Sequence, residues 1–220
     1  MKNRIHAVLF DLDGVIVYTD SYHYKAWKRL ADDEGWKFDE ELNHKLRGVS
    51  RMESLTIILE HNGIDLPEEK RQELAELKNS FYVESLKKIG KKDLVPGALQ
   101  FVEGCRNEEL ATAVCSSSKN AQLIIDRLGI GELFDTTVTG WDIINTKPDP
   151  EIFLLAAEHL QVSPKLCAVF EDAESGVKAA QAAGMLAVGF GDKEILKEAD
   201  MVIESLEEIT VEDILGDEKI

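Results

Sequence analysis

Two carboxylates one residue apart, Asp11 and Asp13, close an apolar run in Val8-Leu9-Phe10-Asp11-Leu12-Asp13-Gly14-Val15. A buried strand whose carboxyl end opens into a loop is where open α/β sheets place ligands, and acids there suggest phosphoryl transfer. One carboxylate can attack phosphorus or hold a cation while the other moves protons, two tasks that need separate groups close together. The same octapeptide also reads as a strand followed by an Asx-type turn, since Asp and Gly are ordinary turn residues. What separates the two readings lies elsewhere in the chain.

Three further strand-like runs lead to residues of chemical interest. Ala111 to Cys115 runs into Ser116-Ser117-Ser118-Lys119-Asn120, whose hydroxyls and following helix start can cradle a phosphate. The run near Thr139 leads to Lys147-Pro148, and Ala168 to Phe170 ends in Glu171-Asp172. Taken singly, Ser118 is a helix cap, Lys147 a surface lysine and Glu171-Asp172 an acidic turn. Taken together, these readings require four coincidences on one edge of one sheet.

Periodicity defines the elements that would position these groups. From Asp20 to about Lys88 the pattern is helical, with Tyr22, Ala26, Trp27 and Leu30 on one stripe and Leu55, Ile58 and Leu59 on another. Ser50 and Glu53 have capping-box spacing, Gly63 and Gly90 sit where C-terminal caps are expected, and a third helix is predicted from about Glu68 to Lys87. After Lys91-Lys92-Asp93, strand-like runs at Leu110 to Cys115, Thr136 to Thr139, Cys167 to Phe170 and Leu186 to Gly189 alternate with helical stretches around Leu99, Leu123, Leu154 and Val177. The first strand, Ala7 to Phe10, belongs with these. The expected fold is therefore α/β: a Rossmann-like parallel-sheet core of residues 1–17 and 93–220, interrupted by a helical cap domain of residues 18–92 with hinges near Tyr18 and Lys92.

Composition narrows the class further. At 220 residues with 44% hydrophobic and 30% charged content, the chain matches an ordinary globular protein. No apolar run approaches the ~20 residues of a membrane span, and Lys2 and Arg4 precede a strand rather than a signal-peptide core, so a cytoplasmic location is expected. The net charge of -17 argues against nucleic acid as a partner, because phosphate-backbone binding relies on clustered Lys and Arg. A small phosphorylated substrate is compatible with it, since a bound cation and a few basic side chains can make a locally positive pocket. Cys105, Cys115 and Cys167 fit neither a disulfide framework nor a zinc site and are expected as reduced core residues. Nothing in the sequence requires more than a monomer.

In order and spacing, Asp11-Leu12-Asp13-Gly14-Val15, Ser116, Lys147-Pro148 and Glu171-Asp172-Ala173-Glu174-Ser175-Gly176 resemble the four motifs of the haloacid dehalogenase (HAD) superfamily. Within it, Tyr22-His23-Tyr24-Lys25-Ala26-Trp27, Arg47-Gly48-Val49-Ser50-Arg51, Lys78-Asn79 with Tyr82, and Ser116 through Asn120 resemble the β-phosphoglucomutase family. The core motifs are shared with many phosphatases, whereas the cap motifs discriminate. Two departures stand out. Val17-Tyr18-Thr19 replaces the usual Thr-Asp-Thr, and Ser117 stands where alanine is common.

The resemblance implies a HAD-like fold with a C1-type cap and interconversion of β-D-glucose 1-phosphate and glucose 6-phosphate through β-glucose 1,6-bisphosphate. It makes Asp11 the nucleophile that becomes an aspartyl phosphate and Asp13 the general acid and base. It implies Mg2+ held by Asp11, the backbone carbonyl of Asp13 and Asp172, with Glu171 bound directly or through water. Lys147 would screen Asp11 from the phosphate dianion, and Ser116, with Ser117 beside it, would contact the transferring group. Arg51, following Gly48, Val49 and Ser50 and preceding Ser54, would grip the second phosphate together with Ser118, Lys119 and Asn120. His23 would couple cap closure to Asp13, while Trp27 and Lys78 would face the sugar. The rival activities are a Mg2+-dependent sugar-phosphate phosphatase on the same scaffold, a dehalogenase, and a non-catalytic sugar-phosphate sensor.

Overall fold

A computed structural model describes residues 4–46 and 48–215. Its central sheet consists of β1 (Ala7–Phe10), β2 (Ala111–Cys115), β3 (Thr136–Val138), β4 (Cys167–Glu171), β5 (Leu186–Phe190) and β6 (Met201–Ile203). All pairings between these strands are parallel, in the order β3-β2-β1-β4-β5-β6. Parallel strands covered by helices on both faces bury successive side chains, which is why β1 and β4 are apolar without alternation and buried along their whole length.

The helices of the sheet unit are α5 (Ala98–Asn107), α6 (Ala121–Leu128), α7 (Glu151–Leu160) and α8 (Glu174–Ala182). The four helices expected after Asp93 are all present. Leu9, Ala113, Phe153, Ala156, Val169 and Ala180 belong to one buried cluster between sheet and helices. The three cysteines are free and buried, and burial pushes their thiols up, to about 12 in Cys105 and about 11 in Cys167. Such thiols carry no reactive thiolate near neutrality.

The chain divides into two compact units, one made of Met1–Tyr18 and Gly90–Ile220 and the other of Thr19–Ile89. The second unit contains α1 (Asp20–Glu34), α2 (Glu40–His44), α3 (Arg51–His61) and α4 (Glu68–Ser85), packed around Trp27, Leu30, Leu55, Ile58, Leu59 and Leu74. The stripes expected from periodicity are the ones buried there. Ser50 caps α3 by accepting from the Glu53 amide at 3.2 Å, and Gly63 follows α3 at a φ of 65°. Gly90 differs from expectation. It has extended backbone at φ -167° and starts a 3-10 turn in which its N–H donates to Asp93. The third helix also stops at Ser85 and tightens into a 3-10 turn over Leu86–Lys88.

Within the sheet unit, the two segments leading to and from the helical insert run side by side. Val17 bridges Leu94, and Tyr18 N–H donates to the Asp93 carbonyl at 2.7 Å. Nothing in the structure explains the side chains of Val17 and Tyr18 at the positions where the family usually has threonine and aspartate.

Candidate active site

The strand register brings the candidate residues of the sheet unit to one edge. Phe10 pairs with both Val114 and Phe170, so the residues that follow leave the sheet together at its carboxyl end. With β1 between β2 and β4, the chain direction of the crossovers reverses there, which opens a crevice for ligands.

Lys147 organises the buried part of this edge. Its ammonium lies 2.5 Å from Asp11 Oδ1, donates to Glu171 Oε1, and donates to the Cys115 carbonyl at 3.1 Å. The side chains of Lys147, Asp11 and Glu171 are all nearly inaccessible. Burial alone would lower the pKa of Lys147, but the carboxylates of Asp11 and Glu171 outweigh it and hold the lysine charged. The surface-lysine reading therefore fails. Its long chain comes from the loop before α7, and the ammonium sits 5.0 Å from the Phe153 ring centre.

Around that cation the acids are in excess. Asp11, Glu171 and Asp172 each present an oxygen, and these oxygens lie within 4.8 Å of one another. Burial pushes Glu171 up to about 7 against the opposing pull of Lys147. Asp172 is also raised, by burial first and then by the charges of Asp11 and Glu171. An all-oxygen donor set with more negative charge than one lysine can balance fits a hard divalent cation. Gly14 completes the packing. Its φ of 94° and a virtual Cβ only 2.0 Å from Asp172 Oδ2 leave room for no side chain.

Asp13 occupies a different environment. It is only partly buried, and Ser116 Oγ donates to its Oδ2 at 3.2 Å. Ser116 Oγ also accepts from the Ser118 amide at 3.1 Å, and Ser118 Oγ accepts from the Asn120 amide at 3.1 Å. The serine loop is thus tied together by its own hydroxyls at the start of α6. Ser117 is the exception. Its Oγ is buried and finds no hydrogen-bond partner among the described residues, so the structure offers no reason for its hydroxyl.

In the helical unit, His23, Trp27, Lys78 and Tyr82 form one cluster. Lys78 is 3% exposed, with its ammonium 2.9 Å from His23 Nδ1, 4.6 Å from the Trp27 ring centre and 5.0 Å from that of Tyr82. Lys78 is no solvated helix lysine, because aromatic rings of α1 and α4 enclose it. An ammonium can only donate, so His23 Nδ1 accepts and the ring proton sits on Nε2. Burial lowers the His23 pKa well below its usual value, and the positive charges of Lys78 and Arg51 lower it further. His23 also stacks on Tyr82, with ring centres 4.0 Å apart.

Arg51 begins α3 and pairs with Glu76 of α4 at 2.7 Å, with its side chain 24% exposed. Gly48 has a φ of 72°, Val49 packs on the helical core and Ser54 is buried. Arg47 lies outside the described residues. Sequence reasoning missed Trp141, whose indole N–H donates to the Lys119 carbonyl at 2.9 Å. No spacing pattern marks a single aromatic in a loop.

The parallel sheet with acids, serine and lysine at its carboxyl edge defines a class. A family model described as haloacid dehalogenase-like hydrolase matches residues 5–184, and the chain belongs to that family and is an enzyme of it. Its relatives include more than one activity. The chain is 41% identical to the β-phosphoglucomutase of Bacillus subtilis, over 94% of this chain and 92% of that protein. It is 37% identical to a phosphorylated carbohydrates phosphatase of Thermotoga maritima, over 82% of each. A crystal structure of a β-phosphoglucomutase from Clostridium difficile superposes with a TM-score of 0.89 at 40% identity, covering 96% of this chain and 95% of that one.

Proposed function

We propose that this enzyme interconverts β-D-glucose 1-phosphate and glucose 6-phosphate through a phosphorylated Asp11 and β-glucose 1,6-bisphosphate. The observation that carries the reading is the pairing of a buried Asp11 on Lys147 with a separately housed Asp13 on Ser116. Different environments for two neighbouring carboxylates allow different roles. Likeness along nearly the whole chain to a mutase, insert included, supports the same assignment.

Asp11 lies beside the Lys147 ammonium, and a carboxylate needs no deprotonation to attack phosphorus. As the Asp11 O–P bond forms, the P–O bond to the sugar breaks, and Asp13 delivers a proton to the departing oxygen. In the other half-reaction Asp13 takes the proton from the free hydroxyl of a bound sugar monophosphate, that oxygen bonds to the phosphorus carried by Asp11 to form the bisphosphate, and Asp11 leaves as a carboxylate. Lys147 lowers the repulsion between Asp11 and the phosphate dianion, and Ser116 keeps Asp13 aimed at the reacting oxygen. Asp11, Asp172 and the Asp13 carbonyl, with Glu171 directly or through water, would hold Mg2+. Bound there, the ion would neutralise charge on the transferring phosphoryl group.

A mutase must also hold the phosphate that is not being transferred. Ser118, Lys119 and Asn120 in the sheet unit and Arg51 in the helical unit are assigned to it, a guanidinium being suited to two parallel bonds with phosphate. His23, Trp27 and Lys78 are assigned to substrate positioning, with Gly48, Val49, Ser50 and Ser54 shaping the segment around Arg51.

The second reading is a sugar-phosphate phosphatase, favoured by the relative that hydrolyses phosphorylated carbohydrates. The two part in a single assay with Mg2+, β-glucose 1-phosphate and a trace of the bisphosphate, following glucose 6-phosphate and free phosphate together. The mutase reading expects isomer far in excess of free phosphate. Free phosphate with little isomer overturns it.

A further inference from the structure

The loop after β3 carries an aromatic side chain that the proposed reaction leaves without a role. Trp141 is 72% exposed, although a tryptophan gains most from burial. Two contacts hold it there. Its indole N–H donates to the Lys119 carbonyl, and the Lys119 ammonium lies 4.6 Å from its ring centre. One side chain therefore grips both the backbone and the charged end of the same lysine.

The rest of the loop is built around that grip. Thr139 N–H and Oγ1 both donate to Asp142 Oδ2 at 2.8 Å, and Thr139 Oγ1 accepts from the Trp141 amide at 3.2 Å. Gly140 N–H donates to the Ser118 carbonyl at 3.3 Å. A Cβ at Gly140 would lie 2.3 Å from the Ser117 carbonyl oxygen, so only glycine lets the two loops approach this closely. The turn that follows delivers Trp141 to Lys119. The serine loop is thus fixed by its own hydroxyls and also by the neighbouring loop.

We propose that Trp141 is a positioning residue for Lys119 and, through it, sets the affinity for doubly phosphorylated sugar. This rests on the reading that Ser118, Lys119 and Asn120 bind the phosphate that is not transferred. A free lysine side chain loses rotamer freedom when it grips an anion, whereas one already laid on an indole has lost it before the anion arrives. An ammonium lying on a ring face keeps N–H donors that point away from the ring, so a phosphate dianion can be met without breaking the cation–π contact, while the N–H···O bond holds the backbone. Binding of phosphate is strengthened, and the chemistry at Asp11 is left as it was.

The test is a double-mutant cycle of Trp141→Ala and Lys119→Ala, with Trp141→Phe as the variant that keeps a ring and loses the N–H. KM for β-glucose 1,6-bisphosphate and kcat are measured at saturating β-glucose 1-phosphate. Trp141→Ala is expected to raise KM by roughly five- to thirtyfold with kcat little changed, Trp141→Phe to fall between it and wild type, and Trp141→Ala to add nothing in the Lys119→Ala background. An unchanged KM in Trp141→Ala beside a raised one in Lys119→Ala overturns the proposal and leaves the phosphate assignment standing. Equal losses in both backgrounds mean a merely structural tryptophan and overturn it too. If Lys119→Ala leaves KM unchanged, the phosphate assignment itself fails, and the role of Trp141 falls with it.

Discussion

Asp11 and Asp13 are chemically identical side chains two positions apart, and their partners differ. Asp11 is buried against an ammonium that also holds Glu171, an environment that suits the nucleophile proposed for it. Asp13 is partly exposed and accepts from a hydroxyl, which suits the general acid and base proposed for it. Lys147 is the residue on which this arrangement depends, and Lys147→Met leaves Asp11 and Glu171 buried face to face. The variant is expected to lose about 3 kcal/mol of stability in a urea titration at neutral pH, the usual cost of removing one member of a buried ion pair. A shift within error of wild type would show that the lysine contributes little to holding the site. The importance of Lys147 was legible in the sequence from its place after a strand, but its burial was not. Two carboxylates from β1 and β4 and a carbonyl from β2 receive it, and none of them is near it in the chain. The burial of Lys78 was hidden for the same reason, since its polar sequence neighbours gave no hint that His23 and Trp27, contributed by another helix, enclose it.

At the level of elements, helices α1 and α4 bury a histidine that cannot take up a proton easily. His23 has a folded pKa well below its unfolded value of about 6.5, so above that pH both states are neutral and the shift has no effect. As pH falls below about 6.5 the unfolded chain binds a proton that the fold refuses, and stability declines until the folded pKa is reached. His23→Gln retains an acceptor for Lys78 and does not titrate. Urea midpoints compared between pH 7.5 and 5.5 should fall more in wild type than in His23→Gln, and equal falls would remove His23 as the cause. Elements with strong apolar periodicity were legible, because a strand such as β1 or a stripe such as Leu55, Ile58 and Leu59 has to bury what it carries. Two were not read. Helix α2 is a five-residue polar piece in which only Leu42 and Asn43 are buried, and β6 is a three-residue edge strand that is half-buried throughout. Neither has enough residues to show a period.

Taken as a whole, the molecule carries a net charge of -17, and Asp11, Glu171 and Asp172 gather part of it where a divalent ion can bind. Mg2+ at about a hundredfold excess over its Kd is expected to raise Tm by roughly 5–10 °C. In Asp172→Asn the rise should be largely lost, and an equal rise in both proteins would place the ion elsewhere. Among the described residues, no helix is long and apolar enough to cross a membrane. Relatives named as a mutase and as a phosphatase share this scaffold, so the fold by itself does not decide between the two activities, and the difference rests on side chains. The central claim concerns where the phosphoryl group rests. Rapid quenching after mixing with β-glucose 1,6-bisphosphate and Mg2+, followed by peptide mass analysis, should find one phosphoryl group on the peptide bearing Asp11 in wild type. Asp11→Asn should show none and lose turnover by at least about 10^4-fold. A phosphoryl group on any other residue, or near-normal turnover in Asp11→Asn, would contradict the account.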